Sequence, residues 1–100
     1  MLKRLILRGT KMKRYQIQFK GQVQGVGFRY ITRKLAIDFS CTGWVKNQSD
    51  GSVLMEIQGE ENNIYNVLKH LNEVSHIIIE DSRKYTIEVK EYEQYFQIKY

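Results

Sequence analysis

The sequence predicts an α+β domain in which two one-sided helices cover one face of an antiparallel sheet. Three observations carry this prediction. Apolar residues alternate with polar ones over residues 14–20, again over 53–57, and once more near the end of the chain. Apolar residues recur at spacings of three and four after residue 27 and after residue 60. The two helical patterns are separated by strand patterns and do not follow one another in a run.

The first strand covers residues 14–20, where Tyr15, Ile17 and Phe19 are apolar and Gln16, Gln18 and Lys20 stand between them, the pattern of a half-buried strand. Gly21, Gly25 and Gly27 interrupt it. Phe28, Ile31, Leu35 and Phe39 then predict an amphipathic helix over about 28–38. Residues 42–48 are rich in strand formers, and Ser49, Asp50 and Gly51 form a turn before Val53, Met55 and Ile57 alternate, so the two runs make a hairpin. Ile64, Val67, Leu68 and Leu71 predict a second helix over about 60–73, with acids in its first turn, where the helix dipole favours them. Beyond it, Ile77 to Ile79 and the alternating Tyr85, Ile87 and Val89 form one long strand or two. A last strand follows, with Phe96, Ile98 and Tyr100 inward.

Strand, helix, strand, strand, helix, strand, with one extra edge strand allowed near the C-terminus, is the split βαβ or ferredoxin-like order. Such a fold hosts many unrelated activities, so function must be read from a site.

A chain of 100 residues fits one domain, and a composition of 42% apolar and 27% charged residues excludes disorder. The net charge of +5 raises the question of nucleic acid. Its placement answers it: residues 1–14 hold six basic residues and no acid, while residues 15–100 hold ten basic residues against eleven acids. A nearly neutral body offers no basic face for a phosphate backbone, and no nucleic-acid partner is expected. Trp44, Tyr30 and the C-terminal tyrosines suggest base stacking, but the first strand lacks paired aromatics, so packing is the expected role.

Residues 1–11 precede the first strand pattern and read as an extension outside the fold: a cloning scar, an upstream start or a targeting segment. The domain then spans 12–100. Leu5, Ile6 and Leu7 are too few for a signal peptide or a membrane span, so a cytoplasmic protein with no membrane partner is expected. Cys41 is the sole cysteine, which excludes an intramolecular disulfide and a cysteine-based metal site. His70 and His76 have no third ligand, and packing or solvent-facing roles are expected for both.

The chemistry concentrates between Gly21 and Arg29, in the segment GQVQGVGFR at a strand-to-helix junction. Glycines there adopt backbone angles closed to other residues, so consecutive amides can turn inward as an anion nest, and the helix N-terminus adds its positive end. Arg29, in the first helical turn, adds a planar fork that matches two oxygens of one phosphate. Tyr30 stands where a dinucleotide fingerprint needs its third glycine, and no Gly-Lys-Ser/Thr follows to make a P-loop. The plain alternative is a tight turn with an exposed arginine.

GQVQGVGFR, followed after a short helix by GWVKN (Gly43–Asn47) and DGSV (Asp50–Val53), closely resembles the two signature motifs of the acylphosphatase family, with looser similarity from about Lys13 to Tyr100. The resemblance implies that Arg29 binds the substrate phosphate beside the amides of Gln24, Gly25, Val26, Gly27 and Phe28. It implies that Asn47 orients the attacking water. It further implies a small-molecule acyl phosphate as partner and hydrolysis of its carboxyl-phosphate bond without a cofactor. That chemistry is self-consistent: the carboxylate leaving group has a conjugate-acid pKa of about 4 and needs neither a general acid nor a metal. Oligomeric state is not written in these residues, and a monomer is the default expectation.

Two departures from the family pattern stand out. Gly27 occupies a position where most members carry a bulkier residue, which is expected to loosen the loop. A Gly-Pro-Pro-like stretch after the second helix is missing from this proline-free chain, which leaves the strand layout of residues 75–90 open. Two rivals remain: a noncatalytic phosphate-binding or regulatory module of the same fold, and the acylphosphatase-like domain of a larger carbamoyltransferase. The absence of zinc-type cysteine pairs or a further domain in these residues counts against the second.

Overall fold

The computed structural model describes residues 11–100. The proposed extension at residues 1–11 lies, but for Lys11, outside the described residues. The elements are β1 (Met12–Gln22), α1 (Phe28–Asp38), β2 (Thr42–Asn47), β3 (Val53–Glu60), α2 (Glu61–Asn72), β4 (Ile78–Ile87) and β5 (Phe96–Lys99).

β1 sits near the centre of a five-stranded sheet of order β4-β1-β3-β2-β5. Its alternation sets the register with β3, pairing Tyr15 with Ile57, Ile17 with Met55 and Phe19 with Val53, so that the apolar residues of both strands fall on one face. Helix faces close over that side: Phe28, Thr32 and Ala36 of α1 and Ile64, Val67 and Leu71 of α2 are all buried. In α1 the buried line therefore runs through two small residues at i, i+4 spacing. Ile31, Leu35 and Phe39, predicted as the core stripe, flank it and are only partly buried. Thr32 and Ala36 let the helix approach the sheet closely, which a count of large apolar residues misses.

The ferredoxin-like α+β architecture is as predicted, with one difference in the sheet. β5 pairs parallel with β2, matching Val45 to Ile98, so the sheet is mixed and not wholly antiparallel. The reason is topological. β4 lies at one edge, antiparallel to β1; the chain then reverses once over residues 88–95 and reaches the opposite edge running with β1 and β2. The segment predicted as one strand or two is one strand, β4, joined to β1 through a bulge between Lys20 and Gly21. Gly21 has φ 134°, and a Cβ there would overlap the Ile78 carbonyl, so the glycine is what lets the strands meet at the bulge. Val89 lies beyond the strand. Tyr100 points outward and is 82% exposed, contrary to the inward orientation expected for it, because β5 ends at Lys99.

The crossing segment covers part of the sheet's second face. There Arg14, counted by sequence with the basic N-terminus, lies fully buried within β1. Its guanidinium donates to Glu56 at 2.8 Å, to Glu93 at 2.7 Å and to the Gln58 side chain at 3.2 Å. Burial opposes the charge, but the bonds that Arg14 donates to Glu93 and Glu56 outweigh it and hold the Arg14 pKa above its ordinary value. Gln58 fixes the same segment by exchanging two hydrogen bonds with the Lys90 backbone, both 2.8 Å. Cys41 is buried as expected, and burial pushes its thiol up to about 11.

Candidate active site

The loop between β1 and α1 is fixed at both ends by the core. Val23 and Phe28 are buried, and the Phe28 ring packs 5.2 Å from that of Phe19. Between them, Gly25 and Gly27 hold φ values of 74° and 81°, the left-handed conformation that glycine adopts without steric cost. Space does not require either glycine: nothing lies within 4 Å of where a Gly25 Cβ would stand, and at Gly27 the nearest atom is the Ile31 side chain at 3.8 Å. The backbone angle favours glycine at both.

Gly27 is also the N-cap of α1. Its carbonyl accepts from the Ile31 amide at 3.0 Å, yet no side chain caps the helix and no acid occupies its first turn. The amides of Gln24 to Phe28 donate to no acceptor among the described residues. An uncapped helix end behind unengaged amides has the electrostatics of an anion site.

Two long-range contacts hold this loop. The Gln24 side-chain amide donates to the carbonyls of Gln48 at 2.7 Å and Ser52 at 2.8 Å, tying the loop to the β2–β3 turn. His76 Nε2 donates to the Val26 carbonyl at 3.1 Å, and in a trans peptide the Gly27 amide then points away from His76.

Arg29 follows in the first turn of α1, half-buried, and makes no ion pair or hydrogen bond among the described residues. Asn47 ends β2, held opposite Val53 by the hairpin register. Its Oδ1 is buried and has no hydrogen-bond partner among the described residues. A buried carbonyl left without a partner costs about 1–3 kcal/mol, so the atom is poised to accept from something that enters. The two residues meet at one cavity of about 190 Å³, lined by Val23, Gly25, Gly27, Phe28, Arg29, Tyr30 and Asn47. Of the predicted site residues, Gln24 and Val26 stand beside this cavity and do not line it.

The chain matches the Acylphosphatase family model over residues 15–98. It belongs to the acylphosphatase family. It is similar to an acylphosphatase of Oceanobacillus iheyensis, 46% identical over 80 residues that make up 80% of this chain and 85% of that one. An acylphosphatase of Clostridium acetobutylicum is 41% identical over 90 residues, 89% of this chain and 99% of the other. Among solved structures, that of an acylphosphatase from Bacillus subtilis superposes with a TM-score of 0.81 at 31% identity, covering 90% of this chain and 100% of that one.

Within this acylphosphatase fold, the turn carrying the DGSV motif is built by Asp50. Its carboxylate accepts from the Ser52 hydroxyl at 2.6 Å and the Ser52 amide at 2.9 Å, and those two bonds hold its pKa below the ordinary value. The Ser52 carbonyl is thereby presented to Gln24. The sequence names Arg29 and Asn47, which the fold brings to one cavity, but not three neighbours: the side-chain role of Gln24, the bond from His76, and Tyr100, whose ring lies under the Arg29 guanidinium. No local signal marks them, since the contacts join residues far apart in sequence. His70 is exposed, its ring 5.2 Å from that of Phe39, which is the packing role expected of it.

Proposed function

We propose that this acylphosphatase-family hydrolase cleaves acyl phosphates with Arg29 and the loop of residues 24–28 on the phosphate and Asn47 on the water. The observation that carries this reading is the unpartnered Asn47 Oδ1 at the cavity that Arg29 also lines. The substrate is a small-molecule acyl phosphate, taken by residues 12–100 acting as one domain and as a cytoplasmic monomer. The family match over residues 15–98 supports the extent of that domain.

The phosphate enters the uncapped end of α1, where loop amides and the Arg29 fork meet the equatorial oxygens. Charge spreads over these oxygens as the phosphoryl group transfers, so donors already in place stabilise the transition state most. Asn47 Oδ1 accepts a hydrogen bond from a water and so aims a lone pair at phosphorus. An amide is too weak a base to remove that water's proton, which passes to the product phosphate or to solvent as the P–O bond to the carboxylate breaks; the carboxylate leaves without protonation, so placement suffices.

Asn47→Ala tests the division of labour. Turnover of benzoyl phosphate should fall by roughly two to three orders of magnitude, the scale for one preorganised polar group, while competitive inhibition by inorganic phosphate stays within a few-fold of the parent. A variant whose phosphate affinity falls in step with its activity would show that Asn47 binds substrate and does not place water.

A further inference from the structure

We propose that Tyr100 is a positioning residue for Arg29, its ring restricting where the guanidinium stands before phosphate arrives. This rests on the reading of Arg29 as the phosphate ligand. The guanidinium carbon lies over the Tyr100 ring, 5.0 Å from its centroid. A cation attracted to the face of a ring spends none of its five N–H donors on a hydrogen-bond acceptor, so all of them remain for phosphate oxygens. Arg29 makes no other polar contact among the described residues, and an arginine without a partner samples many rotamers that phosphate binding must then restrict. The contact with the ring removes part of that freedom beforehand.

The ring is held in turn. The Tyr100 and Tyr30 hydroxyls lie 3.2 Å apart, and Tyr30 belongs to the same first turn of α1 as Arg29 and lines the cavity. The parallel pairing of β5 with β2, matching Lys99 to Lys46, delivers Tyr100 to this place next to the end of β2. Arg33 approaches the Tyr30 ring at 5.8 Å, so cations and rings alternate as Arg33, Tyr30, Tyr100 and Arg29. Apolar burial does not explain the arrangement, because Tyr30 is 53% and Tyr100 82% exposed. What Tyr100 contributes is contact with Arg29.

The test compares Tyr100→Leu, Tyr100→Phe and Arg29→Ala in the full chain by inhibition with inorganic phosphate, kcat and KM for benzoyl phosphate, and Tm. Tyr100→Leu should raise the phosphate inhibition constant and KM about two- to fivefold, the range for an exposed cation–π contact, with Tm unchanged. Tyr100→Phe keeps the ring and should lie closer to the parent than leucine does. Parent-like phosphate inhibition in Tyr100→Leu, equal impairment of both variants, or a Tm that falls with the affinity would each overturn the positioning role. Arg29→Ala separates the two levels. Parent-like inhibition there removes the reading of Arg29 itself, whereas loss there beside a parent-like Tyr100→Leu removes only the role of Tyr100.

Discussion

Gln24 donates its side-chain amide to the Ser52 carbonyl across 2.8 Å, which joins the glycine-rich loop to the far end of the turn that begins at Asn47. The same nitrogen reaches Gln48, the residue after Asn47, at 2.7 Å. The two halves of the site come from different elements, and this one side chain spaces them.

Gln24→Glu tests that spacing, because a carboxylate cannot donate to two carbonyls. Loss of both bonds should lower stability by about 1–3 kcal/mol in urea unfolding, given the usual net worth of a hydrogen bond and the repulsion left behind. Misplacement of water relative to phosphate should lower kcat/KM by roughly 10- to 100-fold. Parent-like kinetics would show that the loop and turn hold their spacing without Gln24.

Arg29→Lys keeps the charge and loses the planar two-point contact. Turnover should fall by roughly two to three orders of magnitude, with weaker inhibition by inorganic phosphate. Near-normal kinetics would reduce Arg29 to a surface residue of the turn.

Hydrolysis should be indifferent to chelator, since the leaving carboxylate has a conjugate-acid pKa of about 4 and departs without Lewis-acid help. A rate that collapses in chelator and returns with a divalent ion would contradict the mechanism.

Acid should weaken the buried ion cluster around Arg14 on the second face of the sheet. Burial raises the Glu56 pKa, but bonds from Arg14 and Gln16 outweigh it, so the folded value lies below the ordinary 4.5. A depressed carboxyl contributes its stability above the unfolded value and loses it as pH falls through the folded one. The parent should therefore exceed Glu56→Gln in stability by about 1.5–3 kcal/mol near pH 7, the worth of a charge-assisted bond, and the gap should close below pH 4.5. A gap that stays constant down to pH 3 would mean that lost packing, and not the Glu56 charge, sets the difference.

The ferredoxin-like order and the limits of α1 over residues 28–38 were legible because period and adjacency are local properties. So was Arg29 in the first helical turn, since a glycine-rich strand-to-helix junction places the next side chains by itself. Its pairing with Asn47 was implied by the resemblance of GQVQGVGFR and GWVKN to the family's signature motifs, and the hairpin register carries Asn47 to the shared cavity. Tertiary structure alone decided the rest. Arg14 reads as one more charge of a basic tail until the chain brings Glu93, 79 positions away, back over the sheet to meet it. Tyr100 reads as an inward strand residue by alternation, yet the strand stops at Lys99 and frees its ring to meet Arg29. The parallel placement of β5, which makes that meeting possible, follows from a single chain reversal across five strands. Such contacts depend on how whole elements are stacked and crossed, and a window of neighbouring residues contains no record of which distant side chain will close the site.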